Sequence, residues 1–195
     1  MSDPQAVNET QPRTDLLSIS INMLTSPQEA FAALAIKPTK LFPLLLIAGL
    51  NGLILLWYFN MVDFDWYVDD TLAAAALDEE QLEAAREGML SMSRNVFMLS
   101  AVIGAALGIA VIYLIQAVYL TLVAALRGDD FKFGQWFSLS CWTGLPILVS
   151  IAGMAATILL SSNGQLSAYD LDPLTLRNLG IHSSNPTIQA LLAST

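Results

Sequence analysis

The side chains best suited to chemistry are scarce and badly spaced for it. His182 is the single histidine among 195 residues, and no serine, cysteine or carboxylate stands at a spacing that would pair a nucleophile with it as base. Cys141 is the single cysteine, which excludes an intramolecular disulfide and any metal cluster built from paired cysteines. Inside an apolar run it reads as a small buried side chain. Asp63-x-Asp65 could open a cation loop, but the later ligands and the glycine of a calcium loop are missing, so it reads as part of a solvated face. Arg127-Gly128-Asp129 reads as a turn. The expectation is therefore no enzyme, no cofactor and no metal site.

A second set of residues bears on packing. Ser100, Gly104 and Gly108, with Ala101 and Ala105 beside them, form a small-residue ridge of the GxxxG kind, which lets another helix approach closely. Asn51 lies amid apolar residues between Gly49 and Gly52, and an amide there wants a partner worth roughly 0.6–2 kcal/mol. Gln116 and Thr121 are the candidates for that partner. Pro146 removes one backbone donor and should kink its helix, freeing a carbonyl near Trp142. These residues fit structural glue between helices, with a polar translocation path as the alternative.

The elements that carry them follow from the solvent the sequence requires. Hydrophobic residues make up 55% of the chain and charged ones 13%, too apolar for an ordinary soluble domain. The excess is gathered into three blocks without formal charge, about 41–61, 96–126 and 136–160, each long enough as a helix to cross roughly 30 Å of hydrocarbon. Unpaired backbone groups cost several kcal/mol each in lipid, so these blocks must be helical. The fold class is all-α, an integral membrane helical bundle with three transmembrane helices. Trp57, Tyr58 and Trp66 at one end, and Phe131, Phe133 and Trp136 at the other, read as interfacial belts.

Between the spans the chain divides into residues 1–24 as a polar tail with an apolar stretch at its end, 25–38 as an interfacial amphipathic helix, an acidic loop over 62–95 and a second loop over 161–195. Ser26-Pro27-Gln28-Glu29 has the form of a capped helix start, Phe31, Leu34 and Ala35 share one face, and Pro38 ends the helix. Asp78-Glu79-Glu80-Gln81 is another start signal. From it Leu82, Ala85, Met89 and Val96 keep helical spacing, which predicts one rod continuing into the second span. Ser162-Asn163-Gly164 is a turn, and a short helical piece is expected around 174–179.

Lys37 and Lys40 abut the first span, and Arg127 and Lys132 lie in the short connection after the second. The positive-inside rule therefore places the N-terminus in the cytoplasm and residue 195 outside. The first forty residues lack a basic segment followed by an apolar core, so no cleaved leader is expected. The formal charge of −9 argues against nucleic acid.

The strings SPQEAF, RGDDFKFGQWFSLSCWTGLPILV and LDPLTLRNLGIH, in this order around the first and third spans, resemble bacterial members of the Yip family, the Ypt-interacting-protein domain. The resemblance covers about 25–182. It implies a five-helix membrane domain with a cytoplasmic N-terminus in the bacterial inner membrane, of which a chain ending at Thr195 would lack the last two spans. Eukaryotic relatives associate with Rab-type GTPases, a role that does not transfer to a bacterial chain. The functional expectation is a non-enzymatic scaffold or interaction protein whose partners are membrane lipid and either a second copy or another membrane protein. The alternative is a transporter or lipid-translocating protein with its path near Asn51, Gln116 and the Pro146 kink.

Overall fold

The computed structural model describes residues 15–73, 75, 77–161, 163–181 and 188. Among them are eight helices: α1 (Leu16–Thr25), α2 (Pro27–Ile36), α3 (Leu41–Met61), α4 (Phe64–Ala73), α5 (Glu79–Ser91), α6 (Arg94–Arg127), α7 (Phe133–Thr143) and α8 (Ile147–Leu160). Three stretches are long and apolar enough to cross a membrane: α3, α6 and the α7–α8 pair over Phe133–Leu160. The chain falls into two compact units, one ending at Leu45 and resuming over Ile112–Leu145, the other formed by Leu46–Val111 and the chain from Pro146 onward.

In the first unit, the apolar end of the expected tail is a helix. Asp15 caps α1 by accepting from the Ser18 amide at 2.9 Å, and Ile19 is buried. One residue later α2 begins, which alters the role foreseen for Ser26. Its side chain makes no cap hydrogen bond, because its backbone amide closes α1 on Asn22 O at 2.8 Å. Glu29 instead accepts from Asn22 Nδ2 at 3.2 Å. Ala30, Ala33 and Leu34 form the buried side of α2. Pro38 interrupts the chain before α3, and the carbonyls left around it are taken up by α7. Gln135 Nε2 donates to Ala35 O at 3.1 Å, Ser138 Oγ to Thr39 O at 2.9 Å, and Trp142 Nε1 to Thr39 O at 2.7 Å. Each such bond contributes about 0.5–1.5 kcal/mol net, and Trp142, fully buried, adds its apolar area.

The third span is two helices. Proline alone would kink it; here Gly144-Leu145-Pro146 form a turn, and the carbonyl of Trp142 accepts from the Leu145 amide at 3.2 Å. Gly144 is required at this point because a Cβ there would collide with the Tyr113 hydroxyl and lie 2.7 Å from Tyr113 Cζ.

The second unit has its core at Ile54, Tyr58, Phe59, Val62, Ile151, Ile158 and Leu171. Tyr58, read from sequence as part of a surface belt, is 1% exposed, whereas Trp57 beside it is 40% exposed. The reason is a partner: Tyr58 donates its hydroxyl to Leu166 O at 2.8 Å. Its ring meets those of Phe59 and Tyr67 edge-on at 5.2 and 6.2 Å, and Phe59, Tyr67, Phe64 and Phe97 contact one another edge-on at 5.3–5.7 Å, a geometry that adds to burial. Asp63, rather than belonging to a wholly solvated loop, caps α4 through the Trp66 amide at 3.1 Å.

The rod foreseen from Asp78 into the second span is broken. Asp78 does form a reciprocal capping box with Gln81, but α5 stops at Ser91, Met92 is extended, and Ser93 Oγ accepts from Val96 N at 3.4 Å as the next helix starts. The serines flanking Met92 compete for backbone groups locally, which apolar periodicity does not register. α6 then runs 34 residues, slightly beyond the expected 96–126.

Candidate functional site

Of the three stretches long and apolar enough to cross a membrane, α6 is the least covered: in its most apolar 18-residue window only 6% is buried. Ser100, Gly104 and Gly108 all lie on exposed positions. A Cβ built on Gly104 or Gly108 meets no atom within 4 Å, so the ridge packs against nothing among the described residues. Ser100 itself turns its hydroxyl back to Phe97 O at 2.7 Å, which leaves the ridge smooth and apolar.

The intramembrane polar residues are divided between the two units. Thr121 is satisfied within its own helix, donating to Ala117 O at 2.7 Å, so it has no donor to offer Asn51. Asn51 is half-buried in the second unit; Gln116 belongs to the first and is exposed. Around Gln116 a cleft of about 270 Å³ is lined by Tyr119, Leu120, Leu139, Ser140 and Thr143. Ser140 is 2% exposed and its hydroxyl has no hydrogen-bond partner. Pro146 stands just before α8 as its N-cap residue.

With this arrangement described, comparison with known proteins decides the family. The model of the Yip1 domain matches residues 21–188. The chain belongs to the Yip1 family. That match covers most of the sequence, and with three apolar helices of spanning length it makes this Yip1-family chain a membrane protein. No curated protein and no solved structure matches the chain.

Two functional groupings escaped the reading from sequence. Arg94 lies at the end of the acidic connection over 62–95; its guanidinium binds Phe59 O at 2.7 Å and Val62 O at 3.3 Å, covering carbonyls at the end of α3. An arginine at the first position of a helix disfavours that helix's own dipole, and this was the available signal that it serves another. Asp172 falls within the loop expected over 161–195. Its carboxylate accepts from Ser150 Oγ and from the Leu174 amide at 2.9 Å, and Asn178 Nδ2 donates to Asp172 O at 2.8 Å. Pro173 sits beside Gly153, where a Cβ would come within 2.9 Å of the proline ring. Ser150 and Gly153 belong to α8, so the segment after the third span lies along it. Asp-Pro after a turn gave no clue to this depth. Among the described residues no group of three or more His, Cys, Asp or Glu is placed to hold a metal. His182 lies outside the described residues.

Proposed function

We propose that this Yip1-family protein is a non-enzymatic scaffold or interaction protein of the bacterial inner membrane, with its N-terminus cytoplasmic and the acidic connection outside, and that it works by associating through the uncovered face of α6. The observation that carries this reading is the open space over Gly104 and Gly108. Lipid tails are as apolar as leucine, so helices associate in a bilayer by close packing and hydrogen bonds rather than by hydrophobic exclusion. A smooth small-residue ridge supports that packing. A second copy or another membrane protein is the partner, with lipid as the competing solvent. The transport reading has less support, since Thr121 spends its donor within its own helix.

The test is chemical crosslinking of the full chain in bilayers across a range of protein-to-lipid ratios. Wild type should give an oligomer or a crosslinked partner, and Gly104→Leu, which fills the ridge, should weaken it at unchanged fold. A wild-type chain that stays monomeric and uncrosslinked at every ratio overturns the reading.

A further inference from the structure

Between α2 and the start of α7 lies a cavity of about 150 Å³ lined by Phe31, Leu34, Ala35, Phe131, Trp136 and Leu139, with Gln135 as its remaining wall. Gln135 has little polar capacity to spare, since its Nε2 donates to Ala35 O at 3.1 Å and its Oε1 accepts from the Lys132 amide at 2.9 Å. The other polar side-chain atom of the wall, Trp136 Nε1, is itself buried and has no partner. An apolar cavity of this size stays dry and takes hydrocarbon. Phe31 and Phe131 are 40% and 42% exposed, so the cavity opens outward. It lies where the spans of α3 and α7–α8 begin, at Leu41 and Phe133, and therefore at the membrane surface rather than in the middle of the bilayer.

Lys40 and Lys132 stand at that surface. Both are exposed, and neither forms an ion pair among the described residues. Lys40 Nζ comes within 3.0 Å of the position a Cβ on Gly134 would take, so its ammonium sits at the first turn of α7, and Lys132 is the residue just before that helix. Two cations at the positive end of a helix dipole are disfavoured, an arrangement that an anion relieves. Asp129, in the connection before α7, is turned instead to the Phe131 amide at 3.0 Å.

We propose that the cavity holds the acyl chain of an anionic phospholipid whose phosphate lies over the end of α7 between Lys40 and Lys132. Gly134 and Leu139 are about 140° apart around the helix, so the phosphate sits over the helix end rather than beside the cavity, and the chain descends along Trp136 and Leu139. Hydrocarbon walls and a cationic rim at the membrane surface together select an amphiphile. A free phosphate would leave the cavity empty, and a neutral lipid would leave both lysines without a counter-charge. The proposal is independent of the Gly104–Gly108 ridge, and the two can fail separately.

The experiment reconstitutes the full chain in vesicles of four parts phosphatidylcholine to one part phosphatidylglycerol, with bromine on the acyl chains of one lipid or the other. Composition and surface charge are then equal, and the tryptophan emission lost in Trp136→Phe reports on the cavity wall. Brominated phosphatidylglycerol should quench that component more, molecule for molecule, than brominated phosphatidylcholine. Lys40→Gln should lower the preference about fivefold, and Lys40→Arg, which keeps the charge, should retain most of it. Because Lys40 is exposed, neither change disturbs the fold. Ala35→Leu fills the cavity without altering charge and should abolish the excess; an excess that survives it reflects general attraction of anionic lipid to the surface and overturns the site. Equal quenching by the two lipids, or a preference unchanged in Lys40→Gln, overturns the choice of an anion. Inorganic phosphate at matched ionic strength should leave the preference intact, and its loss would assign the lysines to a free anion and overturn the lipid. No quenching of the Trp136 component by either lipid means that protein fills the cavity, which also overturns the proposal.

Discussion

Arg94 donates from Nε to the carbonyl oxygen of Phe59 at 2.7 Å, joining the first residue of the second span to the last turn of the first. Its terminal nitrogen also reaches Val62 O at 3.3 Å, so one cation holds carbonyls at the negative end of the α3 dipole. Bonds to a charged group contribute about 1.5–3 kcal/mol. Arg94→Met should lower unfolding stability in detergent by about that amount. Arg94→Lys should recover only part, because a single ammonium lacks the planar fork that spans two carbonyls. Thermal unfolding followed by circular dichroism measures both.

Asp69 and Arg86 tie α4 to α5, with Arg86 Nε 2.7 Å from Asp69 Oδ1. The hydrogen bond from Arg86 holds the Asp69 carboxyl below its ordinary range. A carboxyl depressed in the folded state contributes stability above its unfolded pKa and loses it as pH falls through the lower folded value. Amide exchange in α5, none of whose residues is buried, should thus quicken in acid below about pH 4, after correction for intrinsic rates. Asp69→Asn should show the quickened exchange already at neutral pH and no further acid step.

Gly144 faces the Tyr113 ring so closely that no Cβ fits. Gly144→Ala should cost about 1–3 kcal/mol as overpacking. Combining it with Tyr113→Ala, which removes the obstacle, should cost less than the two single changes added together. A double-mutant cycle on unfolding free energy reads the coupling; strict additivity would show that the contact is not what requires glycine.

Asp172 joins the segment after α8 to Ser150. Asp172→Ala removes the acceptor for both Ser150 and the Leu174 amide, so protease cleavage between 165 and 181 should accelerate severalfold while α8 stays protected. Ser150→Ala should give a smaller effect, because the bond to Leu174 remains. Limited proteolysis in proteoliposomes separates the two.

What could be read in advance follows the physics that acts locally. The first span's ends coincide with α3 because a run of uncharged residues in lipid leaves its backbone one solution. Asp78 was legible as a start because its cap lies within four residues. Ser26 carried the same pattern, yet the helix before it claimed its amide, a consequence of α1 that the capping signature does not contain. Ser93 and Asp63 start helices with ordinary caps, but one was hidden in an apolar period and the other in an acidic run. The ridge residues were identifiable from spacing; that they face open space depends on what the rest of the chain covers. Tyr58, Arg94 and Asp172 meet partners 22 to 108 residues away, and no local pattern encodes those meetings.

The position of Asp172 beside Ser150 changes what a topology map of this protein would report. Ser150 stands ten residues before the end of α8, about 15 Å along its axis, so the chain that has left the third helix doubles back along it. A reporter inserted near Asp172 should be shielded from impermeant reagents, while one near Asn163 should be labelled. Read without the structure, that pair of results would count one crossing too many.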